Sequence, residues 1–256
     1  LRNPVLSQDD LDKHVSETVA GRRDDLSSKK TRNMLLQEFA RRDVASKYLH
    51  ALTDDELQGL TLDELIAVPS SLLDLERVVF YAGPHDPAAI RALVAGAETA
   101  YQPAPDRPPL TYFQPDAPRI LFLDYDSVQS DVAVFAAGEV YSPDHDADYR
   151  LLSEYLGGNA GMIFQEIREA RGMAYSAWGR YSQGNVAGDQ TLLQGSLSTQ
   201  ADKTAEATAL LVEMLKSVPM DEDRWRRARA SLEEKLRTER ITFRALGWNA
   251  EAWRLK

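Results

Sequence analysis

Arg168 and Tyr175 stand seven residues apart, with Gly172 between them. A guanidinium can hold a backbone carbonyl or a carboxylate through two parallel N–H donors. A phenol hydroxyl can donate to the oxyanion that forms when a peptide carbonyl is attacked. The pair therefore suits a peptide substrate. Each residue also has an ordinary reading. A cation about one turn from the C-terminal end of a helix is favoured by the helix dipole. A tyrosine at the start of a strand is often a half-buried packing residue. Glu166 and Glu169 read as ion-pair partners or surface charges, and Arg171 and Arg180 as solvated.

Other chemistries are poorly served. The four histidines are His14, His50, His85 and His145, and no two lie closer than 35 residues. None can form the i,i+4 pair that faces one metal ion from a helix. His50 with Asp54 and His145 with Asp148 read as surface polar pairs. Neither H-E-x-x-H nor its inverse H-x-x-E-H occurs. Gly157-Gly158-Asn159-Ala160-Gly161 is glycine-rich, but no lysine follows as in a Walker loop, so it reads as a break that lets two helices pack closely. No G-x-S-x-G is present, and Ser196 reads as an ordinary strand residue.

The elements that position Arg168 and Tyr175 are legible in the pattern. A helix from about Gly161 to Arg171 is halted by Gly172. Two strands follow, Met173–Gln183 and Gln190–Thr199, joined by a Gly/Asn/Asp loop. Before them, Ile120–Tyr125 and Asp131–Val140 read as an antiparallel pair, then a helix from Asp146 to Leu156. After them come a helix over 201–217, with a capping signal at Thr199-Gln-Ala-Asp202, and a charged helix over 222–243. Further upstream, residues 7–43 read as helix with Ser7 as N-cap. Residues 53–57 and 61–65 read as Thr-capped helix starts. Val78–Tyr81 reads as a short buried strand, and Pro87 opens a helix through about Ala100.

Six of the twelve prolines fall within 103–118. No regular helix or central strand survives that density, and the run reads as an extended interdomain linker. A faint echo relates Pro4–Arg23 to Pro219–Arg237: a proline, a cap, an acidic turn, then a long basic helix. It implies that 1–102 is the later part of one α+β unit and that 119–256 begins a second copy.

Composition bounds the rest. The chain has 256 residues, 43% hydrophobic and 27% charged, enough for a sizeable core. A net charge of −10 argues against a nucleic-acid phosphate binder. The absence of cysteine excludes disulfides, thiolate metal sites and cysteine nucleophiles. No apolar run reaches the ~18 residues of a membrane span. The chain opens without Met and reads as a fragment of a longer polypeptide. Bacterial cytoplasm and periplasm both remain open as its compartment.

The segment YLGGNAGMIFQEIREARGMAYSAWGRY, Tyr155 to Tyr181, resembles the C-terminal, non-zinc half of the M16 (pitrilysin/insulinase-like) zinc metallopeptidases. The R-E-x-R-G-x-A-Y core is its most specific part. LSTQADKTAEA, MDEDRWRRARASLEEKLRTERIT and, upstream, TDDELQGLTLDELIAV and VVFYAGP add weaker support, so the resemblance covers most of the chain. It implies an α+β fold of repeated M16-type (LuxS/MPP-like) domains, with an antiparallel sheet packed against helices. It implies a clamshell around a peptide substrate, with zinc held by an N-terminal half on the same chain or on a separate subunit and none bound here. Arg168 would anchor the substrate backbone and Tyr175 would help stabilise the tetrahedral intermediate. Ser176 and Trp178 would line the groove, and a bound peptide would add as a strand to an exposed sheet edge. The missing zinc motif leaves two functional expectations: the substrate-binding half of a zinc endopeptidase, or a non-catalytic M16-like scaffold or assembly subunit. An unrelated α+β binding domain is the bland third.

Overall fold

The computed structural model describes residues 6–72, 74–95 and 101–255. Their contacts group into two units. The first takes in the described residues up to 35, then 45–108 and 243–248; the second takes in 36–44, 109–242 and those from 249 on.

The first unit is mostly helical. Helix α1, Gln8–Ser27, starts at Ser7, whose hydroxyl accepts from the Asp10 N–H while the Asp10 carboxylate accepts from the Ser7 N–H. Leu11, Val15 and Val19 lie on one face and pack against Leu57 and Leu62. Helix α2, Lys29–Arg42, follows at once. The single helix expected over 7–43 is thus two, because Ser28 takes an extended conformation (ψ 123°) between them. Helices α3, Asp54–Gln58, and α4, Leu62–Leu72, each begin with the expected box, Thr53 with Glu56 and Thr61 with Glu64. Pro87 opens α5, which runs to Ala95; the rest of the helix expected to Ala100 lies outside the described residues.

Val78–Tyr81 is neither buried nor laddered: its four residues are 55%, 54%, 47% and 38% exposed. The pairing of this segment ends earlier, at a parallel bridge between Leu75 and Gln102. Pro103 and Pro105 lie just beyond Gln102 and have no N–H to continue the ladder.

The second unit holds the sheet. Strands β1 (Gln129–Val140), β2 (Ser176–Ser182) and β3 (Gln190–Gln200) are antiparallel in the order β1-β3-β2. This corrects the expected partnership of Asp131–Val140 with Ile120–Tyr125. Residues 120–125 form no ladder, and Ile120 and Phe122 are 91% and 83% exposed. The connection Asp126-Ser127-Val128 carries no glycine or asparagine to take the left-handed position that a tight hairpin needs.

Helices pack on one face of the sheet. They are α6 (Asp146–Leu156), α7 (Met162–Phe164) and α8 (Thr204–Lys216); α9 (Glu222–Thr238) packs on α6, and a last helix, α10, covers Leu246–Leu255. The helix expected over 222–243 thus ends at Thr238. Tyr155, Leu156, Met162, Ile163, Ile167, Leu197, Ala207 and Leu211 form the centre of the core, almost wholly shielded from water. Each fully buried leucine or isoleucine contributes about 1.5–3 kcal/mol. Gly195 lets α8 lie directly on β3, since a Cβ there would fall 2.7 Å from Leu215 and 2.9 Å from Leu211. The Tyr155 hydroxyl donates to the Pro219 carbonyl (2.6 Å) and accepts from the Asp221 N–H (3.0 Å), joining α6 to the turn that opens α9.

The middle of the proline-rich run is tied to the start of β3. Gln190 N–H donates to Leu110 O, and Leu110 N–H donates to the Asp189 carboxylate, both at 2.7 Å. Asp189 is fully buried, and its other oxygen accepts from the backbone of Asn185 and Val186. Nearby, Arg119 lies over the rings of Phe39 and Phe113, and Arg42 over Tyr112.

Candidate functional site

Arg168 lies in the chain that continues α7. Gly161 precedes the helix as N-cap, and Met162, Ile163 and Ile167 are all fully buried in the core. A regular α-helix was expected to Arg171. Instead, Gln165–Ala170 is a π-helix. Such wide turns are uncommon and recur at functional positions. Gly172 then takes a left-handed conformation (φ +58°) and stops the helix. The Arg168 carbonyl accepts from Gly172 N–H at 3.0 Å, and Met173 N–H reaches back to Ile167 O at 3.0 Å.

The chain then crosses to the sheet under close control. Thr199, fully buried, donates its hydroxyl to Met173 O at 2.5 Å. Thr199 is therefore not the cap of the next helix, as its sequence context implied; Gln200 holds that place without a side-chain bond. Tyr175 N–H donates to Ser198 O at 2.8 Å, and β2 begins at the next residue. These bonds fix the backbone on both sides of Gly172.

Both side chains of the pair are accessible. The Arg168 side chain is 46% exposed, 3.7 Å from Glu169, with its guanidinium 4.8 Å from the centre of the Phe164 ring. Tyr175 is 51% exposed, and its hydroxyl oxygen accepts from Gln200 Nε2 at 3.4 Å. That bond leaves the phenol proton free to be given to another acceptor. Arg168 and Tyr175 make no hydrogen bond to each other; the structure places them on the two sides of one turn.

Ser176, Trp178 and Arg180 form the outward row of β2, alternating with Ala177 and Gly179, which face the core. Their partners across the sheet are Ser198, Ser196 and Gln194. Ser198 and Ser196 are spoken for: the first donates to Asp131 at 2.6 Å and the second to Val132 O at 2.9 Å. Ser196 is thus the ordinary strand residue that its context implied.

Trp178 and Arg180 also line a cleft of about 320 Å³ with Ser153, Glu154, Gly157, Gly158, Gly179 and Lys235. Gly157 and Gly161 are there for space, and Gly158 for its left-handed backbone (φ +70°). A Cβ on Gly157 would sit 2.9 Å from Gly179 O, and one on Gly161 would sit 2.0 Å from Gly157 O. Gly157–Gly161 is therefore the packing break that was expected. Glu154 accepts from Ser231 at 2.8 Å and from Lys235 at 2.6 and 2.7 Å. Burial alone would raise its carboxyl, but the bonds from Lys235 and Ser231 outweigh that and hold it below the usual glutamate value.

Among the described residues no group of three or more His, Cys, Asp or Glu is placed to hold a metal ion. His145 sits 3.2 Å from Asp148 as a surface pair. The described residues do not fit a zinc site. No described helix is long and apolar enough to cross a membrane.

Two features escaped sequence reasoning. The π-helix has no sequence signal at the level of residue types. The burial of Asp189 did have one, in the spacing of Gly184, Gly188 and Asp189. A Cβ on Gly184 would fall 2.6 Å from the Asp189 Cβ, and Gly188 has φ +93°, so the loop closes around the carboxylate.

The sequence profile of the M16 peptidase inactive domain matches residues 69–232. Among solved structures, the chain resembles the peptidase M16 inactive domain from Pseudomonas fluorescens, with TM-score 0.63 and 19% identity over 90% of this chain and 57% of that one. It also resembles a protease from Helicobacter pylori, with TM-score 0.59 and 17% identity over 90% of this chain and 58% of that one. At such identities the likeness is one of fold. The chain spans under three fifths of the length of either structure. No curated protein sequence matches it.

Proposed function

The chain belongs to the M16 peptidase family as its inactive domain, and from that premise we propose that it is a non-catalytic module that assembles with a zinc-bearing M16 half. The match to the inactive domain over residues 69–232 is the observation that carries this reading. It favours the scaffold or assembly subunit over the half of an endopeptidase described by its own chemistry. The division of the chain, with 1–102 ending one M16-type unit, 103–118 linking and 119–256 beginning another, is part of the same proposal.

A second, finer reading is favoured by one observation: Arg168 and Tyr175 are both exposed on a turn whose backbone is fixed on either side. In this reading the module also faces the peptide. Arg168 holds a backbone carbonyl or carboxylate of the substrate through paired N–H donors. Tyr175 gives its hydroxyl proton to an oxygen that gains negative charge. Ser176 and Trp178, in the outward row of β2, line the groove.

Fluorescence anisotropy of a labelled unstructured peptide separates the two. Substrate-facing residues predict binding by the wild-type chain that weakens at least tenfold in Arg168→Ala, a loss of about 1.4 kcal/mol. Equal binding by both proteins removes the finer reading and leaves the assembly module.

A further inference from the structure

The cleft between α6, β2 and α9 has hydrogen-bond donors to spare. Arg180, Trp178, Gly158 and Ser153 line it together with Glu154 and Lys235. Among the described residues nothing accepts from the Arg180 guanidinium, the Trp178 indole N–H or the Gly158 N–H, and the Ser153 hydroxyl bonds no protein group. The one carboxylate of the cleft is already engaged. Glu154 accepts from Ser231 and twice from Lys235, and it pairs with Lys235 rather than with Arg180. Across the sheet Arg180 faces Gln194, and its chain neighbours are Gly179 and Tyr181, so no adjacent residue supplies a counter-charge. The cleft thus holds two cations and one anion, and the uncommitted charge is Arg180.

An uncommitted guanidinium presents a planar fork of N–H groups that matches the two oxygens of a carboxylate. The Trp178 indole beside it offers an apolar face and a polar N–H. A phosphate group fits less well. It carries about −1.5 to −2 charges at pH 7, more than the one free cation balances, and the surplus would lie against Glu154. Space is open beside Gly158, where an added Cβ would meet nothing within 4 Å. A volume of about 320 Å³ is at the small end of ligand sites, roughly 300–1,000 Å³, and suits the end of a chain or one side chain. Arg180 also stands in the outward row of β2 with Ser176 and Trp178. At about 3.3 Å per residue, an extended peptide lying along that row reaches the cleft about four residues from Ser176.

We propose that this cleft is a carboxylate subsite for the peptide: Arg180 holds the two carboxylate oxygens through paired N–H donors, and Trp178 lies against the residue that carries them. The proposal rests on the finer reading above, in which the module faces the peptide, and adds a chemical preference to it. The carboxylate is the C-terminus of the peptide or an acidic side chain.

Fluorescence anisotropy with three labelled, unstructured peptides of otherwise neutral sequence tests this: a C-terminal amide, the same peptide as a free C-terminal acid, and the amide with an internal Gln replaced by Glu. The wild type should bind at least one of the two acids about tenfold or more tightly than the neutral amide. Preference for the free acid names the C-terminus as the source, and preference for the Glu peptide names the side chain. In Arg180→Gln the advantage should vanish while affinity for the neutral amide is kept. In Arg168→Ala all three peptides should weaken and the advantage should remain. In NMR spectra of the wild type, the Trp178 indole N–H and the Gly158 amide should shift with the preferred acid and not with the neutral amide. Arg180 is exposed and without a partner among the described residues, so its variant should keep the wild-type melting temperature; should it fail to fold, the two resonances decide. Equal binding of the three peptides, an acid preference that survives in a folded Arg180→Gln, or one that leaves both resonances unmoved overturns the proposal and spares the finer reading. No peptide binding by the wild type overturns both.

Discussion

At the scale of the residue, Arg168 and Tyr175 stand on a turn whose backbone is fixed on both sides, with side chains that the fold itself does not need. Both are about half exposed. Arg168→Ala and Tyr175→Phe should therefore each change stability by less than about 0.5 kcal/mol in denaturant unfolding. A loss of several kcal/mol would assign them to structure. Asp189 is the opposite case. It is fully buried and accepts backbone N–H bonds from Leu110, Asn185 and Val186. Asp189→Ala should cost about 3 kcal/mol in urea unfolding and free Leu110 for hydrogen exchange, because buried donors are left unpaired. An unchanged midpoint would contradict this. Arg168 and Tyr175 stand out in the sequence because guanidinium and phenol chemistry is written in residue types; what the structure adds is that both are exposed on one turn. The burial of Asp189 was missed, because its signal lies in the spacing of Gly184 and Gly188 around it and not in its own residue type.

At the scale of the element, the decisive device is the stop at Gly172. Its positive φ ends the π-helix and sends the chain to β2. Gly172→Ala meets no neighbour within 4 Å, so its cost is conformational, about 1–2 kcal/mol. It should show as a lowered melting temperature without loss of the folded state. A second element-scale tie joins α6 to α9 through Glu154 and Lys235. The Glu154 carboxyl is held below its usual value, so its contribution is present above the unfolded-state pKa and disappears as pH falls through the lower folded-state pKa. Stability measured from neutral pH to about 3 should fall less steeply in Glu154→Gln than in the wild type. Parallel slopes would remove the tie. Helix starts were legible here because Ser7, Thr53 and Thr61 carry their own boxes. Strand partnership was not: Ile120–Tyr125 and Val78–Tyr81 have strand composition, but a ladder depends on a turn or a partner that local sequence does not contain.

At the scale of the whole molecule, the chain is an α+β member of the M16 family, with an antiparallel sheet covered by helices. That class was readable from the order of strand and helix patterns around the R-E-x-R-G-x-A-Y core. The role proposed for it is assembly, and the central claim of that proposal is that it contributes surface and leaves catalysis to a zinc-bearing half. The most direct measurement is cleavage of quenched fluorescent peptides by three samples: this chain alone, the zinc-bearing half alone, and the two together. The account predicts no cleavage by this chain alone and a clear gain when it joins the zinc-bearing half, abolished by chelation. Chelator-sensitive cleavage by this chain alone, or no gain in the mixture, would contradict it.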